Sequence, residues 1–370
     1  MSFLIFDNVC YRYRNGFRAV ENMNFSVKSG GIFGIAGEKR SGKSSVVNLI
    51  TGVSVPYCGI IRLNDTVIND VKVKNRKISA VFPEPVVFPS LKVIHNITIP
   101  LKNYKNEKYF HDKKIIRICE ILKIDDILNR KASRISDYQK QLVALTRSVM
   151  KNPELLVLDD PCRNMSQVDR KEFISCLIRL KIIFGLTVIY VSENIKEVLA
   201  VSDSSVVLQN GRILQEGTSD EIYSSPNNRE IIELLYDRQI NRFDALCCEK
   251  NDTLYFSLGD NINFIPAKNK IEKFRLYVNQ KIEILIPAVS FIIRPDGNSE
   301  SIKCRVDFVE NYMGYRVIHC VTRSRKYLIK TVSTGNFTRN QLIHVIPDFK
   351  KIYYTDKSNG RNILHVSGDQ

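Results

Sequence analysis

Residues 34–50 read GIAGEKRSGKSSVVNLI: an apolar run closing on glycine, then a lysine and two serines, then a second apolar run. Within it, Gly37-Glu38-Lys39-Arg40-Ser41-Gly42-Lys43-Ser44 satisfies G-x-x-x-x-G-K-[ST] in full, after a strand-like segment and before a helix-like one. Glycines at 37 and 42 let the backbone wrap closely, so successive N–H groups between Gly37 and Ser45 turn inward toward phosphate oxygens. A helix starting near Ser44 adds the positive end of its dipole. Lys43 reaches the β- and γ-phosphates, and the Ser44 hydroxyl ligates Mg²⁺. The alternative is a chance glycine-rich turn, but that leaves a second segment unexplained. Residues 155–160, LLVLDD, read as an apolar strand ending in Asp159, a carboxylate able to hold Mg²⁺ through its water shell. The expected ligand is a nucleoside triphosphate with magnesium.

Outward from that loop, the first 235 or so residues alternate strand-like and helical segments. ELLVLDD (154–160) and LTVIYVS (186–192) are continuous and β-branched, as in parallel strands covered on both faces. Between them, RKEFISCLIRLKIIFG carries apolar residues at helical spacing and stops at Gly185. This alternation predicts a doubly wound α/β domain. From about residue 245 the character changes to short runs broken by Gly, Pro, Asn and Asp, such as DTLYFSLGD, GYRVIHCVT and QLIHVIPD. Their even spacing predicts an all-β, barrel-like domain, with the junction within YDRQINRFDA (236–245).

The bulk numbers bound the partners. A chain of 370 residues suits two domains, and 44% hydrophobic with 25% charged residues is a globular balance. No apolar run approaches the ~20 residues of a membrane-spanning helix. The start, MSFLIFDNVCYRY, lacks a basic n-region and carries Asp7, so no secretory signal is expected. Lys and Arg outnumber Asp and Glu by 55 to 39, a net +16 that suits an anionic partner: nucleotide, nucleic acid or an acidic membrane surface. Lys-rich helices such as LKNYKNEKYFHDKK (101–114) equally read as solvated faces, and no aromatic-interleaved basic motif points to nucleic acid. The nine cysteines form no C-x-x-C and the five histidines do not cluster with them, which suggests buried thiols in a reducing cytosol and no metal site.

With the loop and LLVLDD located, the chain resembles the ATP-binding subunits of ABC transporters over nearly its whole length. It is most similar to the importer class serving maltose, other sugars and glycerol phosphate, which carries an extra C-terminal β domain. NVCYRYRNGFRAVENMNFSVKSGG (8–31) resembles the family's opening strands and places Tyr13 where an aromatic ring stacks on adenine, a contact worth ~1–3 kcal/mol. A cross-strand aromatic pair is the alternative for that tyrosine. ISAVFPEPVVFPSLKVIHNI (78–97) resembles the Q-loop segment, ISDYQKQLVALTRSVMKNPELLVLDDP (135–161) the signature helix followed by Walker B, and GRILQEGTSDEIYSSP (211–226) the close of the nucleotide domain. In the tail, IIRPDG (292–297), RVDFVENYMGYRVIHCVT (305–322) and DFKKIYYTDKSNGRNI (348–363) resemble the importers' regulatory barrel. The resemblance implies a P-loop NTPase core of ABC type over 1–238, with a helical subdomain over about 90–152. An all-β OB-like (TOBE-type) domain follows over 239–370.

Against that family pattern, several positions depart. Asp160 stands where the family has its catalytic glutamate; it keeps the charge but is one methylene shorter, and an error of ~1 Å can cost about a hundredfold. Glu193 replaces the histidine that contacts the γ-phosphate, setting an anion beside the triphosphate unless it points away or is protonated. Pro83 replaces the Q-loop glutamine and has neither side-chain amide nor N–H; Glu84 is a partial substitute at best. The signature Leu-Ser-Gly-Gly-Gln reads Ile135-Ser136-Asp137-Tyr138-Gln139, so of its nucleotide contacts Ser136 and Gln139 remain. The D-loop Ser-Asn-Leu-Asp reads Arg163-Asn164-Met165-Ser166.

The resemblance therefore implies a subunit that binds Mg·ATP and hydrolyses it weakly at its own site, since loss of general-base help costs ~10²–10⁴ in rate. Such a subunit would lie on the cytoplasmic face of the membrane against permease subunits, which residues around 83–110 would contact. It would pair head to tail with a second ATPase subunit, an intact partner being favoured over a homodimer. The alternatives are a fully active importer ATPase using Asp160, a non-hydrolytic regulatory or structural subunit, and a soluble ABC protein outside transport. The cargo stays open among sugars and polyols, with polyamine, iron and other anion importers carrying related tails.

Overall fold

The computed structural model describes residues 2–100, 108–237, 239–251, 253–259, 262–266, 271–294, 301–312, 314–322 and 327–365. The chain divides into two compact units, Met1–Ser224 and Ser225–Gln370.

The first unit is built on two sheets. β1 (Ser2–Arg12), β2 (Arg18–Lys28), β4 (Cys58–Leu63) and β5 (Thr66–Val67) form an antiparallel sheet in the order β2-β1-β4-β5. β3 (Ile32–Gly37), β6 (Ile78–Val81), β7 (Leu155–Asp159), β8 (Val188–Ser192), β9 (Ser204–Gln209) and β10 (Arg212–Thr218) form the second, in the order β10-β9-β3-β8-β7-β6. All pairs of the second sheet are parallel except β9–β10. Continuous burial of β3 and β8 follows from their unbroken apolar sequences, as expected of strands covered on both faces. α1 (Lys43–Thr51) contributes Val46, Leu49 and Ile50 to one buried core with Leu155, Val157 and Ile189. A run of stacked rings, Phe6 on Phe25 at 4.5 Å and Phe25 on Phe33 at 5.2 Å, extends the core toward the antiparallel sheet.

β3 sits between β8 and β9, so the chain leaves its carboxyl end at a point where neighbouring strands lead away to either side. That is where open α/β sheets bind ligands. α2 (Val93–Thr98), α3 (Lys108–Leu122) and α4 (Asp137–Met150) fall within the stretch expected to be a helical subdomain. The expected solvated run 101–114 lies partly outside the described residues. Within it, Lys114 departs from a freely solvated side chain: its Nζ donates to Val149 O at 3.1 Å and stands 5.5 Å from the Phe184 ring centre. α5 (Gln167–Phe184) ends at Gly185 in the left-handed region, φ 61°, where the sequence placed its stop. α6 (Ile195–Val201) and α7 (Ser219–Ser224) complete the unit.

The second unit holds two antiparallel five-stranded sheets. The first is built from β11 (Ile240–Lys250), β12 (Thr253–Gly259), β13 (Ile262–Phe264), β14 (Lys281–Pro287) and β20 (Tyr353–Asp356), in the order β13-β12-β11-β14-β20. The other is built from β15 (Phe291–Arg294), β16 (Ile302–Tyr312), β17 (Tyr315–Thr322), β18 (Leu328–Ser333) and β19 (Leu342–Pro347), in the order β15-β19-β16-β17-β18. One apolar cluster, including Phe243, Phe256, Phe274, Ile318 and Tyr354, draws on both sheets, giving the β-rich, OB-like C-terminal region. Of IIRPDG, residues 295–297 lie outside the described residues. The sequence set the domain boundary between 238 and 239, whereas the compact units part after Ser224. The segment between is tied to the chain end, Arg229 N donating to Gly360 O at 2.9 Å and Asn362 N to Asn227 O at 2.8 Å. The helix α8 (Arg229–Leu235) therefore travels with the β-rich unit.

Candidate nucleotide site

The loop between β3 and α1 has the shape its glycines require. Gly42 is the N-cap of α1 at φ 107°, and a Cβ there would lie 2.7 Å from the Ala19 carbonyl oxygen. Such a contact with backbone admits glycine alone. α1 carries no side-chain cap and no acid in its first turn, leaving its amino-end donors to an anion. Lys43 turns back into the loop: its Nζ donates to Gly37 O and Glu38 O, both at 2.6 Å, and reaches Ser41 Oγ at 3.4 Å. Burial lowers the Lys43 pKa, while Glu193, Asp160 and Asp159 pull it back toward the charged form.

In front of this loop lies a cavity of about 370 Å³, lined by Tyr13, Phe17, Lys39, Arg40, Lys43, Ser44, Ser45, Asp159, Asp160, Arg163 and Glu193 among others. Phosphate-loop, strand-end and aromatic residues some 180 positions apart in sequence thus share one wall. Tyr13 lies just beyond β1, in an aromatic group at the turn. It pairs with Phe17 across the turn at 6.4 Å and with Tyr11 edge-on at 5.0 Å, and it also faces the cavity, 39% exposed. Its hydroxyl is 2.9 Å from Ser45 Oγ, tying the aromatic wall to the first turn of α1.

The acidic end is organised by a residue whose part the sequence did not disclose. Asp160 takes φ 47° immediately after β7 and is buried. Arg163 Nε donates to its Oδ2 at 2.8 Å, and Ser192 Oγ donates to its Oδ1 at 3.2 Å. Both carboxylate oxygens are therefore engaged. Glu193 neither points away nor stands unpaired: it lines the cavity with Oε1 at 3.9 Å from Arg163 Nη2. The Arg163 pKa is raised, chiefly by the Asp160 hydrogen bond. Asp159 is half-buried, and burial followed by the neighbouring Asp160 raises its pKa above the ordinary 3.8. The three-residue spacing of Asp160 and Arg163, closed by Arg163 N donating to Asp160 O at 3.2 Å, was the available clue.

The donor set fits a magnesium nucleotide. Ser44 and Asp159 offer hard oxygens in the same cavity as Lys39, Arg40 and Lys43. Among the described residues no three His, Cys, Asp or Glu side chains gather into a metal site. Magnesium characteristically uses one or two protein oxygens and completes its shell with substrate phosphates and water.

The remaining predicted residues lie elsewhere. Pro83 and Glu84 line a separate cleft of about 240 Å³ with Asp137, Tyr138 and Asn164. Gln141 closes it from α4, Nε2 donating to Phe82 O at 3.0 Å while its Oε1 is buried with no partner. Ser136 and Gln139 form a reciprocal cap on α4: Gln139 N donates to Ser136 Oγ at 3.2 Å and Ser136 N to Gln139 Oε1 at 3.1 Å. The S-x-x-Q spacing that produces it is visible in the sequence. Ser166 likewise caps α5, accepting from Asp169 N at 3.1 Å.

Known proteins agree with this architecture. The pattern of the ABC transporter family matches residues 20–163. The trehalose/maltose import ATP-binding protein of Thermococcus litoralis is 27% identical over 359 residues, covering 94% of this chain and 95% of that protein. The glucose import ATP-binding protein of Saccharolobus solfataricus is 30% identical, over 63% of this chain and 67% of its own. Among solved structures, an ATP-binding cassette of an ABC transporter in its ADP conformation superposes with a TM-score of 0.56. At 24% identity, over 63% of this chain and 98% of that one, the superposition speaks for the fold alone. The likeness to the trehalose/maltose protein runs over 94% of the chain and that to the glucose protein reaches 30% identity, and on these grounds the chain belongs to the ATP-binding proteins of the ABC transporter family.

Proposed function

We propose that this chain is the ATP-binding subunit of an import system for a sugar, polyol or glycerol phosphate. It binds Mg·ATP between the phosphate loop and the Tyr13 wall, and it couples closure of an ATPase pair to membrane permease subunits on the cytoplasmic face. Importers of trehalose/maltose, glucose and sn-glycerol-3-phosphate among the relatives support the cargo class. Spermidine/putrescine import proteins match at comparable identity and are the competing class. No helix among the described residues is long and apolar enough to cross a membrane, so contact with the bilayer would pass through other subunits.

Magnesium, held by Ser44 and Asp159, would neutralise phosphate charge; Lys43 would exchange its loop carbonyls for phosphate oxygens. Hydrolysis at this site is slow in our reading, and one observation carries it: the Asp160 carboxylate is held by Arg163 on one oxygen and Ser192 on the other. Each oxygen keeps a lone pair, but the two bonds fix the carboxylate's orientation, and a general base must be free to meet the water it activates. A carboxylate at position 193 accepts hydrogen bonds and supplies no donor of its own to a phosphate oxygen. A heterodimer with an intact ATPase subunit follows from the same impairment.

Calorimetry and single-subunit turnover test this together. ATP is expected to bind the parent chain and to bind Lys43→Ala at least tenfold more weakly, with parent turnover about a hundredfold below a sugar-importer ATPase assayed beside it. Comparable turnover, abolished by Asp160→Asn, would establish instead the fully active reading in which Asp160 escapes Arg163 and serves as base.

A further inference from the structure

Away from the nucleotide cavity, two thiols stand opposite each other on the first sheet. β1 and β4 pair antiparallel, and their register sets Cys10 directly across from Cys58. A slip in that register between Asp7 and Cys10 explains their approach. Asn8 adopts φ 49° and Gly59 φ 82°, and a Cβ on Gly59 would fall 2.3 Å from the Asn8 carbonyl oxygen. Glycine alone fits the bulge. The same carbonyl oxygen is within reach of both sulfurs, 3.8 Å from Cys10 Sγ and 3.7 Å from Cys58 Sγ. Directly opposed residues of paired antiparallel strands project from the same face of the sheet, so the two thiols stand side by side. Directly opposed residues of antiparallel strands have Cα atoms about 4.5–5.5 Å apart. That falls inside the span of about 4.4–6.8 Å that a disulfide bridges.

The pair is accessible and unequal. Cys58 is exposed and Cys10 half-buried, whereas Cys119, Cys162, Cys176, Cys247, Cys304 and Cys320 are buried. At Cys10 burial opposes the thiolate, but hydrogen bonds from Cys58, the Asn22 amide and Tyr57 outweigh it, so its pKa is lowered. The Asn22 N–H donates to Cys10 Sγ at 3.4 Å. The pKa of Cys58 is raised, first by its hydrogen bond with Cys10 and then by burial. The thiolate is the attacking species, so reaction begins at Cys10.

We propose that Cys10 and Cys58 form a thiol-modification site for small-molecule disulfides, with Cys10 attacking and Cys58 resolving. The Cys10 thiolate attacks one sulfur of the incoming disulfide, forming a mixed disulfide and releasing one thiolate. Cys58, losing its proton to solvent, attacks the Cys10 sulfur and expels the second. The small molecule is reduced to two thiols, the protein is oxidised by two electrons, and the strands are joined. The closed ring encloses the phosphate loop and α1, so the bridge constrains the part of the chain that forms the nucleotide cradle.

Oxidised glutathione, incubated with the full chain at neutral pH, is the probe. The expected product keeps seven of its nine thiols. It weighs two hydrogens less and yields a Cys10–Cys58 linked peptide. Cys58→Ser should stop at a glutathione adduct on Cys10, Cys10→Ser should lose thiol about tenfold more slowly, and Cys248→Ser should behave as the parent. The bridge should raise the thermal midpoint by a few degrees, reversibly on reduction. Retention of all thiols, a bridge between other cysteines, or equal rates in the two single variants would overturn the proposal. The peptide map of the parent decides even if a variant fails to fold.

Discussion

Arg163 shows how one side chain redistributes the charge of a site. It stands between Asp160, which it meets at 2.8 Å, and Glu193, at 3.9 Å, and all three face the cavity that Lys43 enters. A glutamate beside a triphosphate is repelled by it, and the nearby guanidinium offsets that repulsion. Arg163 is half exposed, so the offset is screened and its size belongs in the range of a directly coupled pair, about 0.5–3 kcal/mol. Arg163→Ala is therefore expected to weaken ATP binding by about fivefold in the parent but by less than about twofold in the Glu193→Gln background, where no repulsion is left to offset. Additive effects in calorimetry would show that the two side chains act independently. The loop residues were legible from the sequence, because G-x-x-x-x-G-K-S constrains backbone and chemistry together. The Arg163 bridge was not, since a pairing across a left-handed turn at Asp160 depends on a conformation that no periodicity announces.

At the level of elements, α4 changes the meaning of a familiar-looking segment. Ile135-Ser136-Asp137-Tyr138-Gln139 read as a damaged nucleotide-contacting motif, yet in the fold Ser136 and Gln139 satisfy each other's backbone amides. Asp137 falls in the first turn, where the helix dipole favours an anion. Loss of an N-cap hydroxyl costs about 1 kcal/mol. Ser136→Ala should thus lower the thermal midpoint of the Met1–Ser224 unit by about 2–4 °C, whatever its effect on nucleotide. An unchanged midpoint would deny the cap its part. β3, β7 and β8 were plain from their apolar runs, and α5 from its periodicity and terminal glycine. The capping box was written in the sequence as S-x-x-Q, but resemblance drew the same letters toward another purpose.

For the molecule as a whole, every residue lining the nucleotide cavity falls within Met1–Ser224. A chain ending at Ser224 is expected to bind ATP within about threefold of the full protein, because no lining residue is lost; a tenfold loss would show that the β-rich unit supports the site. The compact units part after Ser224, earlier in the chain than the junction read from composition, and the reason is physical. YDRQINRFDA looks like a linker by composition, but the helix before it is anchored by hydrogen bonds to residues 360–362, over a hundred positions away. Long-range partners of that kind leave no local trace. Gly37, Glu38 and Lys43 supply the last consequence. Because the ammonium already grips two carbonyls of its own turn, the cradle keeps its shape with a built-in stand-in for a guest. A nucleotide arriving there swaps partners instead of ordering a coil, so recognition spends little conformational entropy and the unliganded protein should resist proteases at that turn.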